Sequence, residues 1–255
     1  MTNHQTISIN GDICGSNQFD WLGDSGFRYG YGCFETMRVV HGKVPLLVHH
    51  KKRLAHSLAH FSINHNLVGL DQRIEALIQT QTEPVGICHL HITAGQLHVA
   101  PGLTPKPNEI ISLAPTPPPC KKAWEFIRIT PHALFQHKSM AYIHHVHALT
   151  TAAHWPIYID ETNTIIDSSI FSVGCIAENV IVFAKHPAQL PSVSRDVVMA
   201  TWPNNTIDYR PITTNEWLNA DAHFACNAVR GAFSLEPKRS THQSLIDKMN
   251  RCLGV

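Results

Sequence analysis

Four prolines stand within Ala114-Pro115-Thr116-Pro117-Pro118-Pro119, close to the middle of a 255-residue chain. Proline has no amide hydrogen to give to a ladder and favours an extended backbone, so a strand running into this stretch has to end there. A new folding unit then starts beyond it. The expected organisation is an N-terminal α/β domain over 1–114, a proline-rich linker over 115–122 and a C-terminal α/β domain over 123–255.

Both halves mix strands and helices. In the first, Thr6–Asn10 alternates like a strand, and Cys33–Val40 with Lys43–Leu47 reads as a hairpin turning at His41-Gly42. Leu54, Leu58 and Phe61 recur at helical spacing between His49 and Ser62, Leu70–Gln79 gives a second helix, and Ile87–Thr93 and Glu109–Leu113 return to strand. In the second half Trp124–Thr130 reads as a strand and Ser139–Ala153 as a helix, with Pro156–Ile159 and Ile165–Ile166 as a hairpin. Phe171–Ile176 and Val180–Phe183 are expected to extend that sheet, Ser194–Thr201 to be a helix, and Phe224–Cys226 and Phe233–Leu235 to be closing strands. Neither half shows the βαβ repetition of a doubly wound sheet or a glycine-rich nucleotide loop, so the expected class is α+β or α/β in two domains.

Composition removes several functions. Twenty Lys and Arg against 19 Asp and Glu leave a formal charge of +1, so no field of one sign exists to hold nucleic acid or an anionic membrane. No apolar run approaches the roughly 20 residues a membrane span requires, and the first residues lack the pattern of a secretory signal, which points to the cytoplasm. Seven scattered cysteines, an odd number without a C-x-x-C pair, read as small core residues. Nineteen histidines gather at His49-His50, His89/His91 and His144-His145/His147, but without a third ligand at metal spacing they read as ordinary polar surface, and no metal site is expected.

The segment Asp24-Ser25-Gly26-Phe27-Arg28-Tyr29-Gly30-Tyr31-Gly32-Cys33-Phe34-Glu35-Thr36-Met37-Arg38 resembles the opening signature of the fold-type IV pyridoxal-phosphate enzymes, the class IV aminotransferase family. Further pieces follow in that family's order: Leu46–Leu54, Lys138-Ser139-Met140-Ala141-Tyr142, Asp160–Phe171, Pro191-Ser192-Val193-Ser194-Arg195, and Ala220 through Ala228. Glycine-rich turns are common singly, but five pieces in order over nearly the whole chain are not. The resemblance implies a two-domain fold like that of the D-amino acid aminotransferases, pyridoxal 5'-phosphate as cofactor between the domains, and a homodimer whose neighbouring subunit completes the substrate pocket.

It also implies roles. Lys138, placed in the C-terminal domain, matches the lysine that binds the cofactor aldehyde and then shuttles a proton. Asp167 matches the carboxylate that faces the pyridine nitrogen, where the family has a glutamate, and only Ser168-Ser169 separate it from Ile170-Phe171. Arg53 matches the phosphate-gripping arginine, and the amides of Val193 and Ser194 at a helix start, with Ser192, Asn227 and Ala228, complete a phosphate cup. Tyr142 packs beside the cofactor, while Ala141 stands where the family often has asparagine.

Gly32-Cys33-Phe34-Glu35-Thr36 and Cys226-Asn227-Ala228-Val229-Arg230-Gly231 are more similar to 4-amino-4-deoxychorismate lyases than to the aminotransferases. The implied activity is therefore release of pyruvate and formation of 4-aminobenzoate, a step of folate biosynthesis, with Thr36 or Lys138 as proton donor. Tyr29, Tyr31, Arg28, Arg38, His98 and Arg230 are the candidates for holding the substrate, which carries two carboxylates. The alternatives are a branched-chain or D-amino acid aminotransferase, and a family member that keeps the fold in a binding or structural role.

Overall fold

The computed structural model describes residues 5–82, 84–96, 106–116, 118, 123–202, 207–235 and 242–254. The chain divides into two compact units, Met1–Pro118 with His137–Tyr142, and Pro119–Gln136 with Ile143–Val255.

The first unit is an antiparallel sheet covered by helices. Its strands are β1 (Thr6–Ile9), β2 (Asp12–Gly15), β3 (Gly32–Arg38), β4 (Ile87–Thr93) and β5 (Asn108–Ala114), in the spatial order β2-β1-β5-β4-β3. Asn10 and Gly11 both take positive φ between the paired Ile9 and Asp12, which is the mirror-image turn a two-residue hairpin needs. A short helix α1 (Ser25–Tyr29) precedes β3, and α2 (Leu47–His60) and α3 (Leu70–Gln79) follow it. Leu54 and Leu58 of α2 and Leu70, Ile74 and Leu77 of α3 pack on Met37, Leu90, Ile92 and Ile111 of the sheet. Each such side chain removed from water contributes roughly 1.5–3 kcal/mol.

Two expectations fail here for local reasons. The second strand of the expected hairpin, Lys43–Leu47, reduces to a single bridge between Val40 and Lys43, because Pro45 has no amide to continue a ladder and Leu47 already opens α2. The helix expected from Ser139 starts only at Ile143, because Lys138–Met140 run antiparallel along the edge of β3. Phe34 N donates to Lys138 O at 2.9 Å and Met140 N to Gly32 O at 2.8 Å. Those hydrogen bonds are also why His137–Tyr142, with Lys138, belong to the first unit and not to the C-terminal one.

Among the described residues the second unit holds two sheets. β6 (Trp124–Arg128), β7 (Trp155–Ile159) and β8 (Ile165–Ser168) form one, with α4 (Ile143–Thr151) leading into β7. β9 (Ser172–Ala177), β10 (Val180–Ala184), β11 (Ile207–Arg210), β12 (Ala222–Asn227) and β13 (Gly231–Ser234) form the other, ordered β11-β10-β9-β12-β13. Thus β9 and β10 open a separate sheet and do not extend the β7–β8 hairpin. The core between these strands gathers Ile157, Ile165, Phe171, Val173, Val182, Ile212, Ala225 and the fully buried Trp217 of α6 (Thr214–Leu218). α5 (Val193–Thr201) and α7 (Gln243–Leu253) bury Val197, Val198, Ile246, Met249 and Leu253.

Candidate active site

Asp24 explains how the opening signature is built. Its Oδ1 caps α1 by accepting from the amides of Gly26 at 2.8 Å and Phe27 at 3.3 Å. Its Oδ2 accepts from Thr93 Oγ1 of β4 at 2.6 Å and Asn108 Nδ2 of β5 at 3.1 Å. The aspartate is therefore a buried staple. The glycines that follow make room for the lysine segment. Gly30 takes φ 66° after α1, and a Cβ there would lie 2.9 Å from the Ala141 backbone. A Cβ on Gly32 would lie 2.6 Å from Met140 Sδ and 2.7 Å from Ile92 O. Gly32→Ala is thus expected to push Met140 and its neighbours off β3, lowering the urea midpoint and, on the expectation that Lys138 carries the cofactor, weakening covalent uptake there by tenfold or more. An unchanged absorbance titration would show that the close packing does not set the lysine.

Pairing along the β3 edge decides where the lysine points. Lys138 lies opposite Phe34 and shares its face, with Nζ 4.4 Å from the Phe34 ring centroid and 5.3 Å from that of Tyr142. Phe34 and Tyr142 meet edge to face at 5.2 Å. His137, one residue earlier, takes the opposite side, where it stacks on His60 of α2 at 3.9 Å. Two positions along from Phe34 on the lysine's face, Thr36 Oγ1 lies 3.5 Å from His89 Nδ1, and His91 stacks on Phe34 at 5.9 Å. Burial lowers the pKa of His89, and burial together with His89 lowers that of His91 to about 4. Both rings are neutral near pH 7. These two histidines, expected as ordinary surface, line the face that carries Lys138 and Thr36. Their alternation in β4, opposite Phe34 and Thr36, was the available signal.

Glu35 points the other way, toward α2, and is fully buried. Arg53 donates from Nε to its Oε1 at 2.8 Å and from Nη2 to its Oε2 at 2.5 Å, and His50 Nδ1 lies 2.7 Å from the same Oε2. Burial by itself would raise the carboxyl pKa, but the Arg53 guanidinium and His50 outweigh it and bring it down to about 2. His50 is pushed down mainly by burial, with Arg53 and Lys138 adding to it against the pull of Glu35. It is a neutral ring donating from Nδ1. Its buried Nε2 meets no hydrogen-bond partner.

In the second unit Asp167 sits on β8 opposite Tyr158. Tyr158 Oη lies 2.6 Å from Ser169 Oγ and 3.1 Å from His145 Nδ1. Burial first, and then the Asp167 charge, raise the tyrosine pKa, with Ser169 opposing them. Ser192 caps α5 by accepting from Arg195 N at 3.2 Å, and its Oγ lies 3.2 Å from Ser194 Oγ. A helix start leaves the amides of Val193 and Ser194 without intrahelical acceptors, so they are natural anion donors. Asn227 Oδ1 accepts from Val229 N and Arg230 N, which folds the turn containing Ala228.

The substrate candidates separate. Tyr29 is 55% exposed on α1 with Arg28 over its ring at 5.3 Å, and Arg38 ends β3 on the face of Thr36. Arg230 lies in the turn before β13. Tyr31 is half-buried, donates its hydroxyl to Phe61 O at 2.8 Å and packs its ring on the first core. His98 lies outside the described residues. Among the described residues no group of three or more His, Cys, Asp or Glu is arranged to hold a metal ion, and no helix is long and apolar enough to cross a membrane.

Residues 32–236 match the amino-transferase class IV family, and the chain belongs to it. The cofactor of this family is pyridoxal 5'-phosphate. Among solved structures the chain is similar to 4-amino-4-deoxychorismate lyase from Pseudomonas aeruginosa, at 20% identity over 96% of this chain and 98% of that one, with a TM-score of 0.79. It is also similar to a branched-chain aminotransferase from Thermoproteus uzoniensis (14% identity, 98% and 95% covered, TM-score 0.84). A third likeness is to the PLP-bound form of a hypothetical aminotransferase from Mycobacterium tuberculosis (13%, 97% and 98%, TM-score 0.80). No curated protein matches the chain by sequence. Each unit by itself offers groups whose chemistry suits this cofactor: the first a lysine amine beside two aromatic rings, the second an α5 N-terminus with buried Ser192 and Ser194 and a half-buried carboxylate at Asp167.

Proposed function

We propose that the chain is a pyridoxal-phosphate-dependent 4-amino-4-deoxychorismate lyase. The observation that carries this reading is the Thr36 hydroxyl, 3.5 Å from a neutral His89 and on the sheet face over which Lys138 stands. A lyase needs a proton donor for the departing fragment as well as a base, whereas amino transfer needs only the lysine to move one proton between two atoms.

Bound cofactor supplies an electron sink for the carbon that carries the substrate amine. Lys138 takes the proton from C4. The bond from C3 to the enolpyruvyl oxygen then breaks, its electron pair leaves with the oxygen, and the ring becomes aromatic. Thr36, or Lys138 with the proton it has taken, protonates the methylene carbon so that the fragment leaves as pyruvate.

Arg53, the Val193 and Ser194 amides, Ser192, Asn227 and Ala228 are assigned to the phosphate, Asp167 to the pyridine nitrogen and Tyr142 to the ring. Arg28, Tyr29, Arg38 and Arg230 are assigned to the substrate side, completed by a second copy of the chain, and the working location is the cytoplasm. The test is product analysis. Loaded enzyme and aminodeoxychorismate should release pyruvate and 4-aminobenzoate in equal amounts with no keto acid added. Amino transfer to a keto acid without those products would replace this reading with the aminotransferase one.

A further inference from the structure

Arg53 projects from a helix on a side chain with four torsions, so its guanidinium plane has to be fixed by something other than its own backbone. The contacts with Glu35 do this. Nε and Nη2 engage the two carboxylate oxygens side by side, a bidentate arrangement that sets the plane and the in-plane angle together. The carboxylate is itself held: its side chain is 0% exposed, it is carried on β3, and His50 closes on Oε2 from the preceding turn of α2. Because one edge of the fork is turned toward Glu35, the opposite edge, Nη1 with the second hydrogen of Nη2, is turned away from it.

We infer that Glu35 is a positioning residue for cofactor binding: it does not touch the coenzyme but aims Arg53, and through Arg53 it sets the affinity for the coenzyme's phosphate. The inference rests on the reading of Arg53 as a phosphate ligand. It makes a prediction opposite in sign to simple electrostatics. Glu35 is a negative charge beside the arginine, so removing it would tighten the hold on a phosphate dianion if charge alone counted. If aim counts, removing it loosens the phosphate.

The experiment is an absorbance titration of the full-length apoprotein with pyridoxal phosphate and, separately, with pyridoxal, which lacks the phosphate. Glu35→Gln is expected to weaken pyridoxal phosphate about tenfold and to leave pyridoxal unchanged, the scale of one charge-assisted hydrogen bond made badly. Arg53→Gln is expected to lose at least as much, and the double variant no more than Arg53→Gln alone. Unchanged or tighter phosphate binding in Glu35→Gln, with Arg53→Gln weakened, overturns the positioning role alone. An Arg53→Gln variant with an unchanged phosphate preference overturns the assignment of Arg53, and the inference with it. Should Glu35→Gln fail to fold, Glu35→Asp keeps the charge but withdraws it by one methylene. A reduced phosphate preference in that variant supports the role, and an unchanged one overturns it.

Discussion

Lys138→Ala is expected to give a folded protein that takes up pyridoxal phosphate without the visible absorbance band of a covalent linkage and releases product at least a hundredfold more slowly. The fold should survive because the segment is held by its backbone, through Phe34 N to Lys138 O and Met140 N to Gly32 O, and these persist in the variant. The side chain adds its approach to the Phe34 and Tyr142 rings, worth about 0.5–2 kcal/mol. Activity should not survive if, as proposed, the same amine makes the covalent bond and moves the proton, since loss of a positioned acid–base group alone costs about 10²–10⁴ in rate. Lys138→Arg sharpens the comparison. It keeps a cation over the rings but has no amine able to condense with the aldehyde, so it should be as inactive as the alanine variant. Either variant turning over at the native rate would remove Lys138 from the chemistry.

Periodicity located most of the larger elements, and α3 to the residue, because Leu70, Ile74 and Leu77 form an uninterrupted buried stripe. It was weaker where short elements depend on partners. α1 has five residues and exists through Asp24 as cap and Gly30 as left-handed stop, a signature present in the sequence but too short to register as a period. α7 was missed, although Ile246, Met249 and Leu253 fall on one face before Gly254 at φ 69°. The Lys138 segment was not readable: Ser139–Tyr142 has helical composition, and only the vacant edge of β3 and the missing side chains of Gly30 and Gly32 make it extended. The resemblance named Lys138 and Arg53 without showing what surrounds them. That Glu35 faces α2 while Phe34 and Thr36 face the lysine follows from strand alternation once β3 is recognised. That His50 and Arg53 converge on Glu35 requires α2 to dock in one register, which no local pattern states.

Lowering the pH should unfold the first unit in two successive windows, because the half-buried His91 and the buried Glu35 are held far from their ordinary titration. His91 in the unfolded chain takes up a proton near pH 6.5, whereas in the sheet burial and His89 delay protonation to about pH 4. Between those values the unfolded state binds more protons than the folded one, so stability falls as pH falls, by roughly 3 kcal/mol over the full window. His50 and His89, also shifted downward by burial, act in the same direction. Glu35 follows. Its ordinary value is 4.5 and its folded value about 2, so the stability from its pairing with Arg53 and His50 is complete above pH 4.5. It is lost toward pH 2, again by roughly 3 kcal/mol. Together these approach a typical domain's whole stability of about 5–15 kcal/mol, and the sheet should open before the lower window is crossed. Hydrogen exchange at β3 and β4 amides, corrected for its intrinsic pH dependence, measures the loss. His91→Gln should flatten the slope between pH 6.5 and 4 and leave the lower window in place. If exchange is as slow at pH 4 as at pH 7, protonation of the His91 ring does not destabilise the sheet, and the ring is not held from water on that face.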